Sequence, residues 1–337
     1  MPSPSAIDST VQKFRSELLR RERAAASQMT QAYGAIWVRL RRQLVVLMEQ
    51  YEQVVRTGGT VGVSWLFERD RMQALLDQTC RELAAFSQDA TTAVEAGQLI
   101  GLETGAEAAT ALAQTGGVIG TSWNALPSWV IENAIAAQQP GSPLRAILDR
   151  LGPDVSAGMR EELINGVALG LNPRIVAANV RRRFGTGLDQ VLRISRTEML
   201  RSYRLAATQN YRANADVVVG WIWHSALTMR TCAMCFWMHG SLHSLNEEMD
   251  DHPNGRCAPI PYTRSMAEVG DTRVYVEPGE DVFGRMPETD QRAVLGNAAY
   301  GAYQSGEVSL QDFVGQRYDA QWGSTRYTRS LKQIKGG

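Results

Sequence analysis

The sequence predicts a mainly α, multidomain helical protein with a small α+β lobe built around a zinc-type Cys/His site. Three observations lead there. Apolar residues recur at three- and four-residue steps along most of the 337 residues. Clusters of glycine and proline cut that pattern into segments. Three of the four cysteines, Cys232, Cys235 and Cys257, crowd into 26 residues.

Composition limits the functions open to the chain. Hydrophobic residues make up 44% and charged residues 21%, which suffices for buried cores and excludes wholesale disorder. The length suits two or three domains. The formal net charge of zero removes any strong overall attraction to nucleic acid and leaves only local basic patches. Positive charge is nearly all arginine, with Lys13, Lys332 and Lys335 as the only lysines. A GC-rich genome accounts for that bias as simply as a need for carboxylate or phosphate forks does. No run approaches the ~18 apolar residues that span a bilayer. Met1 to Ser9 is polar and lacks the apolar core of a signal peptide. The expectation is a protein made and used in a cytosol, where a disulfide framework is not expected.

Each element follows in order. From Ile7 to Arg56 there is no proline and a single glycine, Gly34. An apolar stripe through Met29, Tyr33, Ile36, Leu40, Leu44, Leu47 and Tyr51 predicts either one arm-like helix or two helices meeting near Gly34. Thr57 to Thr60 reads as a turn. Helical patterns follow over Trp65–Ala85 and Gln88–Gln114, the second rich in Ala, Thr and Gly and so suited to close helix packing. Gly116-Gly117 ends it, Pro127 opens a helix to about Gln138, and Gln139 to Pro143 marks a boundary. Short helices are expected from Pro143 to Phe184. Between two of them Gly170 is a stop, Asn172 a cap and Pro173 a first-turn residue, and Arg181 to Arg183 close the last. Gly185 to Gly187 reads as a loop before a helix over Leu188–Ala213. Val217 to Trp223 reads as a strand, Arg273 to Val276 as a second, and Thr289 to Gln304 as a helix. The last fifteen residues contain no acid and carry Arg326, Arg329, Lys332 and Lys335. They suit a frayed, solvated tail or an anchor on DNA or an acidic surface.

The chemistry-bearing pattern is Cys232-x2-Cys235-x16-His252-x4-Cys257. A Cys-x2-Cys pair turns both sulfurs toward one metal, and a second His/Cys pair completes a tetrahedron of the soft ligands that zinc prefers. Pro253, Asn254 and Gly255 supply the turn between the second pair. A metal-free thiol cluster and a redox pair are the competing readings, the latter weakened by the lack of a βαβ context. His239 and His243 are alternatives to His252 as the fourth ligand, and His224 reads as a packed or exposed strand residue. Three cysteines and a histidine close the coordination sphere, so the site reads as a structural staple and not a hydrolytic centre. The HExxH and deaminase signatures and a Gly-rich phosphate loop are missing. No catalytic residues are assigned, and the chain is read as a non-enzyme. Glu247, Glu248, Asp250 and Asp251 read as a solvated acidic turn.

The order of segments resembles the phage Mu-type minor head protein family, the phage head morphogenesis family. The likeness rests on Ser195-Arg196-Thr197-Glu198 opening a helix that continues through Tyr203, Ala206 and Asn210. Gly220-Trp221 in a strand follows, then Arg230-Thr231-Cys232-x-x-Cys235, His239-Gly240 and His252-Pro253-x-x-Arg256-Cys257, with Pro259 and Pro261 beyond. It spans roughly Ala157 to Pro261. The family pattern has His-Pro-Asn-Cys-Arg-Cys, and Gly255 stands here in place of the first of those cysteines.

The resemblance implies a structural minor head, or minor capsid, protein of a tailed bacteriophage. It would sit in the virion, in the capsid interior or at the portal vertex, after assembly in the host cytoplasm. Its partners would be the portal protein and other capsid proteins, in a few copies per head, and its work head assembly with DNA packaging or ejection. The division that follows is a helical N-terminal region over 1–140, a central helical segment over 141–185, a head-morphogenesis lobe with the Cys/His site over 186–270, and an extension with a basic tail over 271–337. A nucleic-acid-binding zinc module acting on packaged double-stranded DNA is the alternative, through Arg230, Arg256 and Arg264 or through the tail. In the Arg-Thr-Glu segment, Glu198 suits an ion pair with Arg201, and Arg196 suits either a surface pair or a clamp on the Cys/His loop.

Overall fold

With no proline after Pro4 to interrupt it, the first helix, α1, runs unbroken through Pro4–Arg56. Gly34 does not break it, and nothing lies within 4 Å of where its side chain would be. The structure is a computed structural model and describes residues 4–59, 61–68, 70–117, 126–136, 143–270, 272–320 and 322–336. The boundary read at Gln139 to Ser142 lies outside the described residues.

A short α2 (Val63–Phe67) precedes α3 (Asp70–Thr115), which is one helix where the sequence suggested two. Phe86 and Ser87, between the two expected helices, are buried, so packing carries the helix through. Then come α4 (Ser128–Ala136), α5 (Pro143–Asp149), α6 (Leu151–Ala168) and α7 (Pro173–Ala213). The turn between α6 and α7 forms as the residues dictate. Gly170 takes φ +61°, and the Asn172 side chain accepts a hydrogen bond from the Arg174 amide at 2.9 Å.

The expected loop at Gly185 to Gly187 is a correction: α7 continues straight through it, and Arg181 to Arg183 lie inside the helix. A Cβ at Gly187 would come within 2.3 Å of the Tyr33 hydroxyl. That hydroxyl donates to the Phe184 carbonyl at 2.7 Å. Glycine therefore admits a crossing helix here and does not end its own.

The chain divides into two compact units. One consists of Met1–Arg20, Gly97–Ile135 and Arg196–Gly337, the other of Arg21–Ala96 and Ala136–Ser195. The elements of the second, among its described residues, are all helices joined by short turns. Its core stacks Tyr33 against Phe86 and Phe184, with ring centroids 5.1 and 4.5 Å apart, and Tyr51 against Trp65.

The first unit holds the strands. β1 (Val218–His224), β2 (Leu242–His243) and β3 (Ala258–Thr263) form an antiparallel sheet in the order β2-β1-β3, with α8 (Ala233–Met238) between β1 and β2. Pro259 and Pro261 cannot donate ladder bonds, and β3 is accordingly an edge. Buried Trp221, Trp223, Tyr211, Met234 and Met238 form one core cluster with Cys235 and Cys257. Beyond the sheet come α9 (Arg264–Ala267), α10 (Gly279–Gly284), α11 (Glu288–Leu295) and α12 (Asn297–Gln304).

Three further expectations are corrected here. Thr272–Val274 is a 3₁₀ turn that buries Tyr275 and Val276, not a strand. The helix expected over Thr289 to Gln304 is split by Gly296, which takes φ +79°. The basic end is folded and not a frayed tail. β4 (Val314–Asp319) and β5 (Gly323–Thr328) form a hairpin, followed by α13 (Leu331–Ile334). Leu331 and Ile334 of α13 pack on a cluster of Phe283, Leu310 and Phe313 with Ala233 and Phe236 of α8.

Candidate metal centre

Cys232 is the N-cap of α8 and Cys235 lies one turn on, so both sulfurs fall on one side of a short helix. His252 and Cys257 approach them from the loop that leads into β3. Asn254 at φ +67° turns that loop back on itself, and the Gly255 amide bonds to the His252 carbonyl at 2.8 Å.

The donor atoms come close. Cys232 Sγ lies 3.5 Å and Cys235 Sγ 3.6 Å from His252 Nε2, and Cys235 Sγ lies 3.4 Å from Cys257 Sγ. Ligands about 2.3 Å (sulfur) and 2.0 Å (nitrogen) from a tetrahedral zinc stand roughly 3.5–3.8 Å apart, which the two sulfur–nitrogen edges match and the sulfur–sulfur edge falls just short of. Two sets of donors each lie within 4.8 Å of one another: Cys232, Cys235 and His252, and Cys235, Asp251 and Cys257. Cys235 belongs to both. His252 Nδ1 meets the Pro253 carbonyl at 2.9 Å, which leaves Nε2 to face the sulfurs. Hydrogen bonding from Cys235, aided by His252, brings the Cys232 thiol down to about 4. Cys235 is raised by its bonds to Cys232 and Cys257.

Asp250 and Asp251 are not a solvated acidic turn. The Asp251 side chain is fully buried and pairs with Arg204 Nη2 at 2.7 Å. Arg204, on α7, also donates to the carbonyls of Gly255 at 2.5 Å and Cys257 at 3.0 Å. One guanidinium therefore fixes the whole turn. A Cβ at position 255 would stand 2.1 Å from Asp251 Oδ2, so this carboxylate occupies the space where any other residue's side chain would begin. Asp250 is held by Arg326 of β5 at 2.7 Å and by Gln316 of β4 at 3.0 Å. The C-terminal hairpin thus closes over the loop, and its Thr328 reaches Cys232.

Helix α7 grips the loop at a second place. Arg196 Nη1 donates to Asn254 Oδ1 at 3.0 Å, and Thr197 Oγ1 accepts from the Asn254 amide at 3.1 Å. Glu198 makes no surface pair with Arg201. It is buried and accepts from Gln98 Nε2 at 2.9 Å, and burial raises its pKa.

The remaining histidines have other partners. His243 stacks on Trp221 with centroids 4.2 Å apart and bonds to Glu247 and Ser241. His239 Nδ1 accepts from the Ser225 amide at 2.8 Å. His224 is buried between Asp8 and Arg15 of α1. Neither His239 nor His243 belongs to a cluster of metal-type donors among the described residues. Of the arginines read as phosphate contacts, Arg264 bonds to the carbonyls of Ala215 and Asp216. In the basic end, Lys335 pairs with Glu307 at 2.6 Å, and Arg329 donates to the Gln333 carbonyl at the same distance.

Residues 157–260 match a protein family described as Phage Mu protein F like protein. This segment of the chain is phage Mu protein F-like. No curated protein and no solved structure matches the chain. The F-like segment holds most of α6, all of α7, β1, α8 and β2, and β3 to Ile260, and with them all four Cys/His residues and Arg204. The β4–β5 hairpin lies beyond it.

Sequence reasoning missed Arg204, Asp251 and the hairpin. Arg204 follows Arg196 by two helical turns, so a shared face was there to be seen. Nothing local told that the face is buried.

Proposed function

We propose that the protein is a structural minor head protein of a tailed bacteriophage, held at the portal vertex or in the capsid interior, where it assists head assembly and DNA packaging or ejection. The observation that carries the reading is the F-like match over the stretch in which α7, β1 and the Cys/His turn lie. Its partners on this reading are the portal protein and other capsid proteins, in a few copies per head, with assembly taking place in the host cytoplasm. The head-morphogenesis lobe would be residues 186–270, between the central helical segment (141–185) and the C-terminal extension (271–337), with the helical region (1–140) making subunit contacts. No turnover is part of this role.

We further propose that Cys232, Cys235, His252 and Cys257 hold one structural Zn²⁺. The bound ion would add cross-linking free energy to a turn that packs on the Trp221 and Trp223 core and is held by Arg204. Arg204 orients the loop, Asp251 receives that guanidinium, and Arg196 and Thr197 hold Asn254. The reading is supported by Cys232, Cys235 and His252 lying within 4.8 Å of one another, with Nε2 of His252 facing the two sulfurs, and by Cys257 Sγ at 3.4 Å from Cys235 Sγ. The nucleic-acid module has less support, because Arg264, Arg326, Arg329 and Lys335 are engaged within the chain.

The test pairs two measurements. Purified protein should contain about one zinc per chain by elemental analysis, with Cys232→Ser and Cys257→Ser losing it and melting lower. Quantitative mass spectrometry of purified heads should find the wild-type protein at a few copies each. Its absence from heads, despite abundance in the infected lysate, would overturn the head-protein role. Full zinc content in both cysteine variants would overturn the ligand set.

A further inference from the structure

The second unit carries a feature unconnected with the Cys/His turn. Between one face of α1 and the first three turns of α7 runs an open groove of about 770 Å³. Its floor is apolar. Leu44 and Met48 are buried at its base, Trp37 is half-buried, and Val45 is 42% exposed. Its rim is basic. Arg41, Arg174, Arg181 and Arg182 line it and are exposed, and none has an acidic partner among the described residues. The two acids that also line it, Glu49 and Glu52, sit toward one end, and Glu52 is already engaged by Arg56 at 2.8 Å. Pro173 and Arg174, the first residues of α7, line the groove as well.

An isolated surface arginine is ordinary, and so is one exposed valine. Four arginines without an acidic partner around an apolar trough are a different case, even with Arg182 donating to Asn179 Oδ1 at 3.2 Å, because together they specify an occupant. Its shape is that of a third helix, since two packed helices leave a channel that takes ridges from another. The stretch from Trp37 to Glu52 spans four turns, about 22 Å. Its charge is negative and its contact face apolar. A phosphate backbone would satisfy the rim and gain nothing from the floor.

We propose that this groove docks an acidic amphipathic helix of another protein. Apolar residues at i, i+3, i+4 and i+7 would enter the trough of Trp37, Leu44, Val45 and Met48. Flanking Asp or Glu would pair with Arg41, Arg174, Arg181 and Arg182. The inference stands apart from the zinc proposal and from the head-protein role, since it uses neither.

The experiment uses the full chain and a helix-stapled, fluorescein-labelled peptide of about 16 residues, with Leu at those positions and Glu elsewhere. Fluorescence anisotropy should show saturable binding that weakens with salt. A scrambled peptide of the same composition and a version with Lys for Glu should not bind. Arg41→Glu and Arg181→Glu, both exposed, should each weaken binding about tenfold or more. Their circular dichroism melts should match wild type, and Arg41→Gln and Arg181→Gln serve if they do not. No saturable binding, equal binding of the scrambled peptide, or unchanged affinity in both charge variants would overturn the proposal. So would binding of a 20-base-pair DNA duplex that those variants abolish while the peptide stays unbound, which would reassign the groove to nucleic acid.

Discussion

Arg204 and Asp251 form the most consequential contact of the Cys/His turn. Both side chains are nearly or wholly out of solvent, at 5% and 0% exposure. Removing one partner leaves the other charge buried and uncompensated, which costs about 3–5 kcal/mol. Arg204→Met should therefore lower stability by that order in urea titrations of the protein. Arg204→Met with Asp251→Asn should recover part of the loss, and a double variant no better than the single would show that the pair is not coupled. Glu198 gives a pH prediction. Burial raises its pKa in the folded protein, so the folded state holds this proton more tightly than the unfolded chain does. Its contribution is fully present below the ordinary carboxylate range and is lost as pH rises through the raised folded value. Glu198→Gln keeps the bond partner Gln98 without the charge. The variant should gain on wild type as pH rises from 4 toward 8 in denaturant melts, and a pH-independent difference would refute the buried, raised carboxyl.

At the scale of elements, α3 and α7 approach so closely in the first unit that side chains are excluded. A Cβ at Gly101 would stand 2.2 Å from the Met199 carbonyl, and one at Gly105 2.3 Å from the Tyr203 carbonyl. In an open helix, glycine to alanine gains about 1 kcal/mol from propensity alone. Here the added carbon must push two backbones apart, which costs about 1–3 kcal/mol and wins. Gly101→Ala and Gly105→Ala should thus lower the melting temperature. Gly34→Ala, on an open stretch of α1, should raise it. Calorimetry on the three variants checks both signs, and a rise in all three would mean that the helices do not meet as described.

For the whole molecule, the chain divides into two compact units, and the Cys/His turn belongs to one of them. If that turn is stapled by metal, chelation should loosen residues 225–260 first. Limited proteolysis after chelator treatment should cut there while Arg21–Ala96 and Ala136–Ser195 stay protected. The hairpin adds a second restraint through Arg326 on Asp250, so Arg326→Ala should speed zinc release to a colorimetric chelator without abolishing zinc content. Unchanged release would place the hairpin outside the site's support.

Periodicity, turn residues and cysteine spacing are local properties, and they determined a great deal. The mainly helical character, the Asn172–Pro173 start of α7, the β1 strand and the pairing of Cys232 with Cys235 on one side of α8 all follow from residues a few positions apart. The close packing expected of the Ala- and Gly-rich stretch of α3 follows in the same way. Tertiary structure decided whatever depended on a partner far along the chain. Gly185 and Gly187 have the composition of a loop, yet Tyr33 crosses there and the helix continues. Asp250 and Asp251 look solvated until Arg326 and Arg204 reach them from 76 and 47 residues away. The basic end looks frayed until β5 pairs with β4 and Leu331 and Ile334 pack against the cluster of Phe236 and Phe313. A side chain's identity states which partner it can take, and only the folded chain states which partner is within reach.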